Sequence, residues 1–336
     1  MDKDQLPGIQ AGRAVAALSV LYFHSYVALG YFDPASLHTW SWLATHGATG
    51  VDLFFAISGF IICLVAERPG FTRGDFALRR ALRIYPLNAL VTVAMLVMFS
   101  YRIAGSAADI EPLRILRSLL ILPQHAPINS VGWTLELEVA FYLVAVVLLP
   151  IGGRFLLLAY CVASGLVGNW LAPESPWIAR FIGGHYLDFG AGIAAWIAIG
   201  RTRQHWPLSI IMIACGVGAY LAGGRLAVSE MTPLACGLVV AGLAVLPAVP
   251  RPLLTLGNIS YGVYLIHWPI MNLATWYAFT YTPARDLGEA YRWLTIGLVI
   301  LMAGLSWVLF ERPLIRLGRR RKQPPPAFGK PLAQEP

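Results

Sequence analysis

Apolar stretches long enough to cross a lipid bilayer recur from one end of this chain to the other, and this limits the fold more than any other feature. A hydrocarbon core about 30 Å thick takes roughly 20 helical residues. Runs of that order lie near residues 11–30, 47–66, 86–104, 132–150, 154–171, 183–199, 207–223, 231–248, 257–279 and 291–310. Inside lipid the backbone must satisfy its own hydrogen bonds, which a helix of this length does. The expected fold class is all-α, a polytopic integral membrane protein with about ten transmembrane helices. Composition agrees: 57% of the 336 residues are hydrophobic and 12% charged. A soluble chain of this length could not hide so much apolar surface.

Ten crossings put both termini on one side, and the basic residues say which. Eighteen Lys and Arg, among them Arg13, Arg80, Arg83, Arg154 and the set from Arg312 onward, fall on the side of the termini, against seven opposite. Such an excess marks the cytoplasmic face. The net charge of +8 is then a matter of topology, and no nucleic-acid partner is expected. Residues 1–318 read as one membrane domain, and the stretch 319–336, "RRRKQPPPAFGKPLAQEP", as a disordered cytoplasmic tail near anionic headgroups. Within the longest outer loop, 105–131, "PLRILRSLLIL" reads as an amphipathic stretch lying along the surface. The N-terminus lacks a basic region and cleavage site, so the first apolar segment is expected to stay as a helix. Cys63, Cys161, Cys215 and Cys236 sit in apolar segments without ligand spacing, and no disulfide framework or metal site is expected.

Ionisable side chains at membrane depth are costly and face a cavity or a partner. Arg13 and His24 are eleven residues apart in the first segment. At about 100° and 1.5 Å per residue they share one helical stripe, roughly 16 Å apart. Asp52 lies near the outer end of the second span and Glu138 in the outer part of the fourth, so the histidine and both carboxylates are expected at similar depth. Asp52 also suits a helix N-terminus. Glu136 is about 200° around the helix from Glu138 and is expected to face elsewhere. Arg80 and Arg83, three apart, are neighbours if their segment is helical, and guanidinium forks suit phosphate. Pro86 is expected to open the third span. In "GNISYGVYLIHWPI" the side chains of Ser260, Tyr261, Tyr264 and His267 place hydroxyls and an imidazole along an otherwise apolar helix. His185 and Asp188 read as interfacial polarity.

Taken in order, these motifs resemble acyltransferase family 3, the bacterial integral-membrane O-acyltransferases that modify extracytoplasmic polysaccharides. The resemblance rests on the Arg–ten residues–His pair, "GVDLFFAISGF", "RRALRIYP", "WTLELEVAFY", "SYGVYLIHWP" and "FERPLIRL". The compact length resembles the exopolysaccharide-production branch, without the extra soluble C-terminal domain of some members. One departure stands out: the family commonly has two adjacent acids in the fourth-span motif, where this chain has Glu138 followed by Val139.

The resemblance implies a multi-pass protein of the bacterial inner membrane. It would move an acetyl or other short acyl group from cytoplasmic acyl-CoA to a hydroxyl of a polysaccharide or lipid-linked oligosaccharide. Acetyl-CoA would be a co-substrate, with no permanently bound cofactor, and a homo-oligomer is left open. Arg13, Arg80 and Arg83 would hold the nucleotide phosphates while the acyl-pantetheine arm reaches toward His24. His24 would act as general base, or less readily as a transient acyl carrier, with Glu138 or Asp52 orienting it. Tyr264 or His267 would donate to the oxyanion, with Ser260 and Tyr261 on the same wall. The competing reading is a transporter or exporter of an anionic or glycan substrate that uses a His–carboxylate proton relay, for which no inverted repeat is visible.

Overall fold

The computed structural model describes residues 6–29, 41–106, 110–200, 202–226, 231–281 and 288–320. The basic proline-rich stretch beyond residue 320, and Lys3, Arg201 and Arg285 of the charge argument, lie outside the described residues. Among the described residues all regular structure is helical. In chain order the helices are α1 (Pro7–Leu29), α2 (Ser41–His46), α3 (Gly50–Ala66), α4 (Arg73–Ser100), α5 (Pro112–Leu120), α6 (Trp133–Leu171) and α7 (Pro176–Phe181). There follow α8 (Tyr186–Ile199), α9 (Trp206–Leu226), α10 (Met231–Ala244), α11 (Arg251–Tyr281), α12 (Gly288–Ser306) and α13 (Arg312–Arg320). Five helical runs are by length and composition able to cross a membrane: Trp42–Ala66, Arg73–Ser100, Ser130–Leu171, Trp206–Gly224 and Glu289–Arg316.

The longest run is two helices joined by a reversal. Gly153 adopts φ 64°, ψ −159°, a conformation open only to glycine, three residues after Pro150. Both halves then meet the same neighbours. Phe141 stacks on Phe189 with centroids 4.0 Å apart, and Gly190 faces Cys161 across the opposite half. Glu136 of the first half pairs with Arg180, while Ser164 of the second donates to the Phe181 carbonyl. The separation expected at "PIGGRF" is therefore present as a hairpin.

Helix α4 starts earlier than its proline suggests. Thr72 caps it, its Oγ1 accepting from the Asp75 amide at 3.3 Å, and Asp75 adds a carboxylate to the positive end of the helix. Pro86 sits inside the helix rather than at its start, so the arginines before it are helical and Arg80 and Arg83 share a face.

Two close parallel pairs organise the core. Helix α1 runs beside α11: Gly257 lies against the Gln10 carbonyl, and further along Thr275 donates to the Ala28 carbonyl at 3.2 Å. Helix α3 runs beside α8, where a Cβ on Gly192 would stand 1.8 Å from the Ala56 carbonyl oxygen and one on Gly59 would stand 2.0 Å from that of Phe189. Small residues at these crossings let the backbones touch, a common way to pack helices in lipid.

The surface stretch expected at 112–122 forms α5, but it does more than lie flat. Leu113, Leu116 and Leu120 are exposed, while Ser118 is buried against α4, where Asn88 Nδ2 donates to the Ser118 carbonyl at 2.9 Å. The following segment turns into the bundle. Gln124 Nε2 and the Ile128 amide both donate to Ser118 Oγ, and Asn129 Nδ2 donates to the Leu265 carbonyl. Part of the loop expected outside is thus interior.

Candidate active site

Arg80 and Arg83 occupy one turn of α4 where two cavities meet. The wider cavity, about 400 Å³, is lined by Arg68, Phe71, Phe76, Arg79, Arg80 and Arg83 among others, and reaches Ile315 of α13. The narrower one, about 70 Å³, is lined by Arg13, Arg80, Arg83, Ser58, Glu138, Tyr261 and Tyr264 among others. The three arginines expected to act together therefore do converge on one space. Arg80 is held by aromatic faces, its guanidinium carbon 4.8 Å from the Tyr142 ring centroid and 5.2 Å from that of Phe76.

Glu138 belongs to this arginine end. The Tyr142 hydroxyl donates to its Oε1, and Ser58 Oγ donates to the same oxygen at 3.2 Å. A chain of contacts thus runs from the Glu138 carboxylate through the Tyr142 ring to Arg80. Glu136 faces elsewhere, as its helical angle requires. It is 2% exposed and accepts from Arg180 Nε at 2.9 Å and from the Gln124 amide at 3.3 Å.

His24 sits further along α1, and its partner is another imidazole. His24 Nδ1 lies 3.1 Å from the Val20 carbonyl, which can only accept, so that nitrogen carries the proton. His267 Nε2 approaches the same Nδ1 at 3.2 Å and then shares that one proton with the Val20 carbonyl as a second, weaker acceptor. This assignment leaves the second nitrogen of His24, Nε2, with a free lone pair whenever the ring is neutral. His267 is fully buried, and the Trp268 ring meets His24 edge-on at 5.5 Å. Tyr264, on the wall of the narrow cavity, touches His267 with ring centroids 5.7 Å apart. Two groups of contacts therefore flank the narrow cavity, Arg80, Tyr142, Glu138 and Ser58 in one and Tyr264, His267 and His24 in the other, and the cavity lining itself reaches Tyr264 but neither histidine.

The layer expected to unite His24, Asp52 and Glu138 is resolved into three separate neighbourhoods. Asp52 lies 3.3 Å from His185, Glu138 meets Ser58 and Tyr142, and His24 meets His267. Neither carboxylate expected to orient His24 touches it; the side chain that does is His267. The reason is rotation about each helix axis: equal depth does not make side chains face one another.

The hydroxyls on α11 are likewise already engaged. Ser260 donates to the Gly257 carbonyl of its own helix, and Tyr261 to the Ile84 carbonyl at 2.7 Å, tying α11 to α4 directly after Arg83. Tyr264 meets Thr134 Oγ1 at 2.9 Å and the Val131 carbonyl at 3.3 Å. Thr134 donates its own proton to that carbonyl, so the single Tyr264 proton goes to Thr134 Oγ1, the nearer acceptor. Tyr261 and Tyr264 form part of the narrow cavity's wall, and Ser260, fully buried, does not line it. Of these, Tyr264 is the one expected to donate to an oxyanion, and its hydroxyl already lies against Thr134 and the Val131 carbonyl. Sequence reasoning gave no part to Ser58, Thr134, Tyr142 or Trp268, whose hydroxyls and rings look like ordinary membrane-helix residues until the partners are known.

Helices apolar and long enough to cross a bilayer, packed around an interior cavity lined by arginines, define the class as a polytopic helical membrane protein. The comparisons make this specific. The family model described as an acyltransferase domain matches residues 6–311, and the chain belongs to that family, acyltransferase family 3. It is an acyltransferase enzyme. The chain is 29% identical over 309 residues, 83% of its length and 92% of the relative's, to the exopolysaccharide production protein ExoZ of Rhizobium meliloti (strain 1021). It is 27% identical to nodulation protein 10 of Rhizobium leguminosarum bv. viciae, covering 91% of this chain and 92% of that protein. It is 24% identical to the putative peptidoglycan O-acetyltransferase YrhL of Bacillus subtilis (strain 168), over 94% of this chain but 56% of that longer one. No solved structure matches.

Proposed function

We propose that this membrane enzyme takes a short acyl group, with acetyl as the first choice, from acyl-CoA on the cytoplasmic side. It delivers the group to a hydroxyl of an extracytoplasmic polysaccharide or its lipid-linked precursor. The observation that carries this reading is that Arg80 and Arg83 line both cavities. A ligand with phosphates at its middle, a bulky nucleotide on one side and a slender chain on the other would place its phosphates on these guanidiniums. The nucleotide suits the wider space and the arm the narrower one. A cavity of about 70 Å³ holds two or three waters at about 30 Å³ each, so the arm enters only as side chains along the wall move. Names among the relatives, for exopolysaccharide production and peptidoglycan O-acetylation, support a glycan acceptor.

The topology in this reading has ten crossings in a bacterial inner membrane, with both termini cytoplasmic. The parallel pairing of α1 with α11 and of α3 with α8 fits such an alternation. Chemically, the free Nε2 of His24 removes the proton from the acceptor hydroxyl as its oxygen attacks the thioester carbonyl. The carbon–sulfur bond then breaks, the thiolate takes a proton, and ester and CoA leave. His267 holds the His24 ring with its Nδ1 proton turned away from the substrate, the service a carboxylate gives in other acyl-transfer sites. Glu138 fixes Tyr142 and through it Arg80.

The reading is tested in cells carrying the wild-type chain or His24→Ala at equal membrane abundance. Surface glycan should lose its O-acyl groups in the variant. Unchanged O-acyl content would refute it, and accumulation of an anionic solute with the thioester left intact would identify a transporter instead.

A further inference from the structure

Outside the cavities, one group of side chains is arranged as donors around a point. His185 precedes α8, Asp188 lies in its first turn, and Asp52 lies in the first turn of α3. His185 Nδ1 stands 3.3 Å from Asp52 Oδ1 and 3.4 Å from Asp188 Oδ2, and one donor atom from each residue lies within 4.8 Å of the others. Charge-assisted N–H···O hydrogen bonds run to about 2.7–2.9 Å, shorter than either contact. One ring nitrogen has a single proton, which two carboxylates cannot both accept well. Tetrahedral zinc behaves differently: bonds of about 2.0–2.2 Å set neighbouring donor atoms about 3.3–3.6 Å apart. The two separations from His185 Nδ1 have that length, and the three donor atoms together span no more than 4.8 Å.

Asp188 gives a second, independent reason. Its residue is 3% exposed, and its Oδ1 is buried with no hydrogen-bond partner among the described residues. Leaving a carboxylate oxygen bare in such a place costs free energy unless a cation answers it. The site is also reachable, because the His185 side chain is 41% exposed and that of Asp52 is 20% exposed. Trp133 and Phe55 flank the imidazole, each with its ring centroid 5.4 Å away.

We infer that Asp52, His185 and Asp188 bind one divalent transition-metal ion, Zn²⁺ by donor type and geometry, clamping the start of α3 to the start of α8. One imidazole and two carboxylates suit zinc, with a fourth position open on the exposed side of His185. Ligand spacing along the sequence could not show this, since Asp52 is 133 residues before His185. The site stands apart from the proposed acyl-transfer chemistry, and its test does not depend on turnover.

The full-length protein, purified in detergent and stripped with a chelator, is dialysed against Zn²⁺ and its metal content measured, with thermal unfolding followed in parallel. The expected result is one ion per chain and a rise in Tm on adding zinc. Both should be lost in Asp188→Asn and in Asp52→Asn, and kept in His46→Gln, which removes another imidazole. If Asp188→Asn does not fold, the more exposed Asp52 carries the comparison. A folded wild-type chain that binds no zinc, or an ion that survives either Asp substitution, would overturn the assignment.

Discussion

Replacing His267 by leucine separates a positioning histidine from a reacting one. The structure gives the Nδ1 proton of His24 two acceptors, the Val20 carbonyl at 3.1 Å and His267 Nε2 at 3.2 Å. Leucine removes the second and leaves the first, so the His24 ring keeps its proton on the same nitrogen but is held less firmly. One such hydrogen bond is worth about 0.5–1.5 kcal/mol. At about 1.4 kcal/mol per tenfold, kcat should fall about two- to tenfold. Deleting the base itself in His24→Ala should cost about 10²–10⁴-fold. His267→Gln, whose amide oxygen can accept, should recover part of the loss. The assay is release of CoA from a labelled acyl-CoA by purified protein, with melting temperature measured beside it. Losses of equal size in the His24 and His267 variants, with both proteins folded, would refute the reasoning, because His267 would then take part in the bond changes.

Other outcomes follow from the same geometry. Arg80→Ala should raise KM for acyl-CoA about ten- to hundredfold, since hydrogen bonds to charged groups contribute about 1.5–3 kcal/mol, and Arg80→Lys should restore only part of it; a titration of KM decides. Glu136→Ala leaves the Arg180 charge without its buried partner, a loss of about 3–5 kcal/mol. Unfolding measured in detergent should show that loss, and Glu136→Leu combined with Arg180→Met should recover most of it. Gly192→Ala would drive a Cβ to 1.8 Å from the Ala56 carbonyl oxygen. It should prise α3 from α8 and lower both Tm and membrane yield, whereas Gly218→Ala, where a Cβ meets open space, should do neither.

What could be read in the sequence was whatever depends on one helix at a time. The 3.6-residue period put Arg80 beside Arg83 and turned Glu136 away from Glu138, and the structure keeps both relations. The break at "PIGGRF" was the least marked boundary between apolar runs, and the backbone angles of Gly153 are what make it a turn. What could not be read was how helices rotate against each other. Depth placed His24, Asp52 and Glu138 in one layer, but the contact of Gly257 with the Gln10 backbone turns α1 so that His24 meets His267. The Gly59 and Gly192 contacts likewise carry Asp52 to His185. Pro86 misled for a local reason, since the cap at Thr72 starts α4 before it. The inward fold of residues 121–132 was hidden as well. It depends on buried hydrogen bonds of Ser118 and Asn129 to distant partners, and neither residue is unusual in a loop.

The central claim is that the acyl group enters from the arginine side and leaves on the other. Proteoliposomes of uniform orientation, with labelled acetyl-CoA supplied at one face and bacterial exopolysaccharide at the other, test it directly. Labelled ester should form on the glycan only when acetyl-CoA meets the face carrying Arg79, Arg80 and Arg83, with CoA released there in equal amount. Ester formation that requires donor and acceptor at the same face, or label crossing as intact acetyl-CoA, would contradict the account.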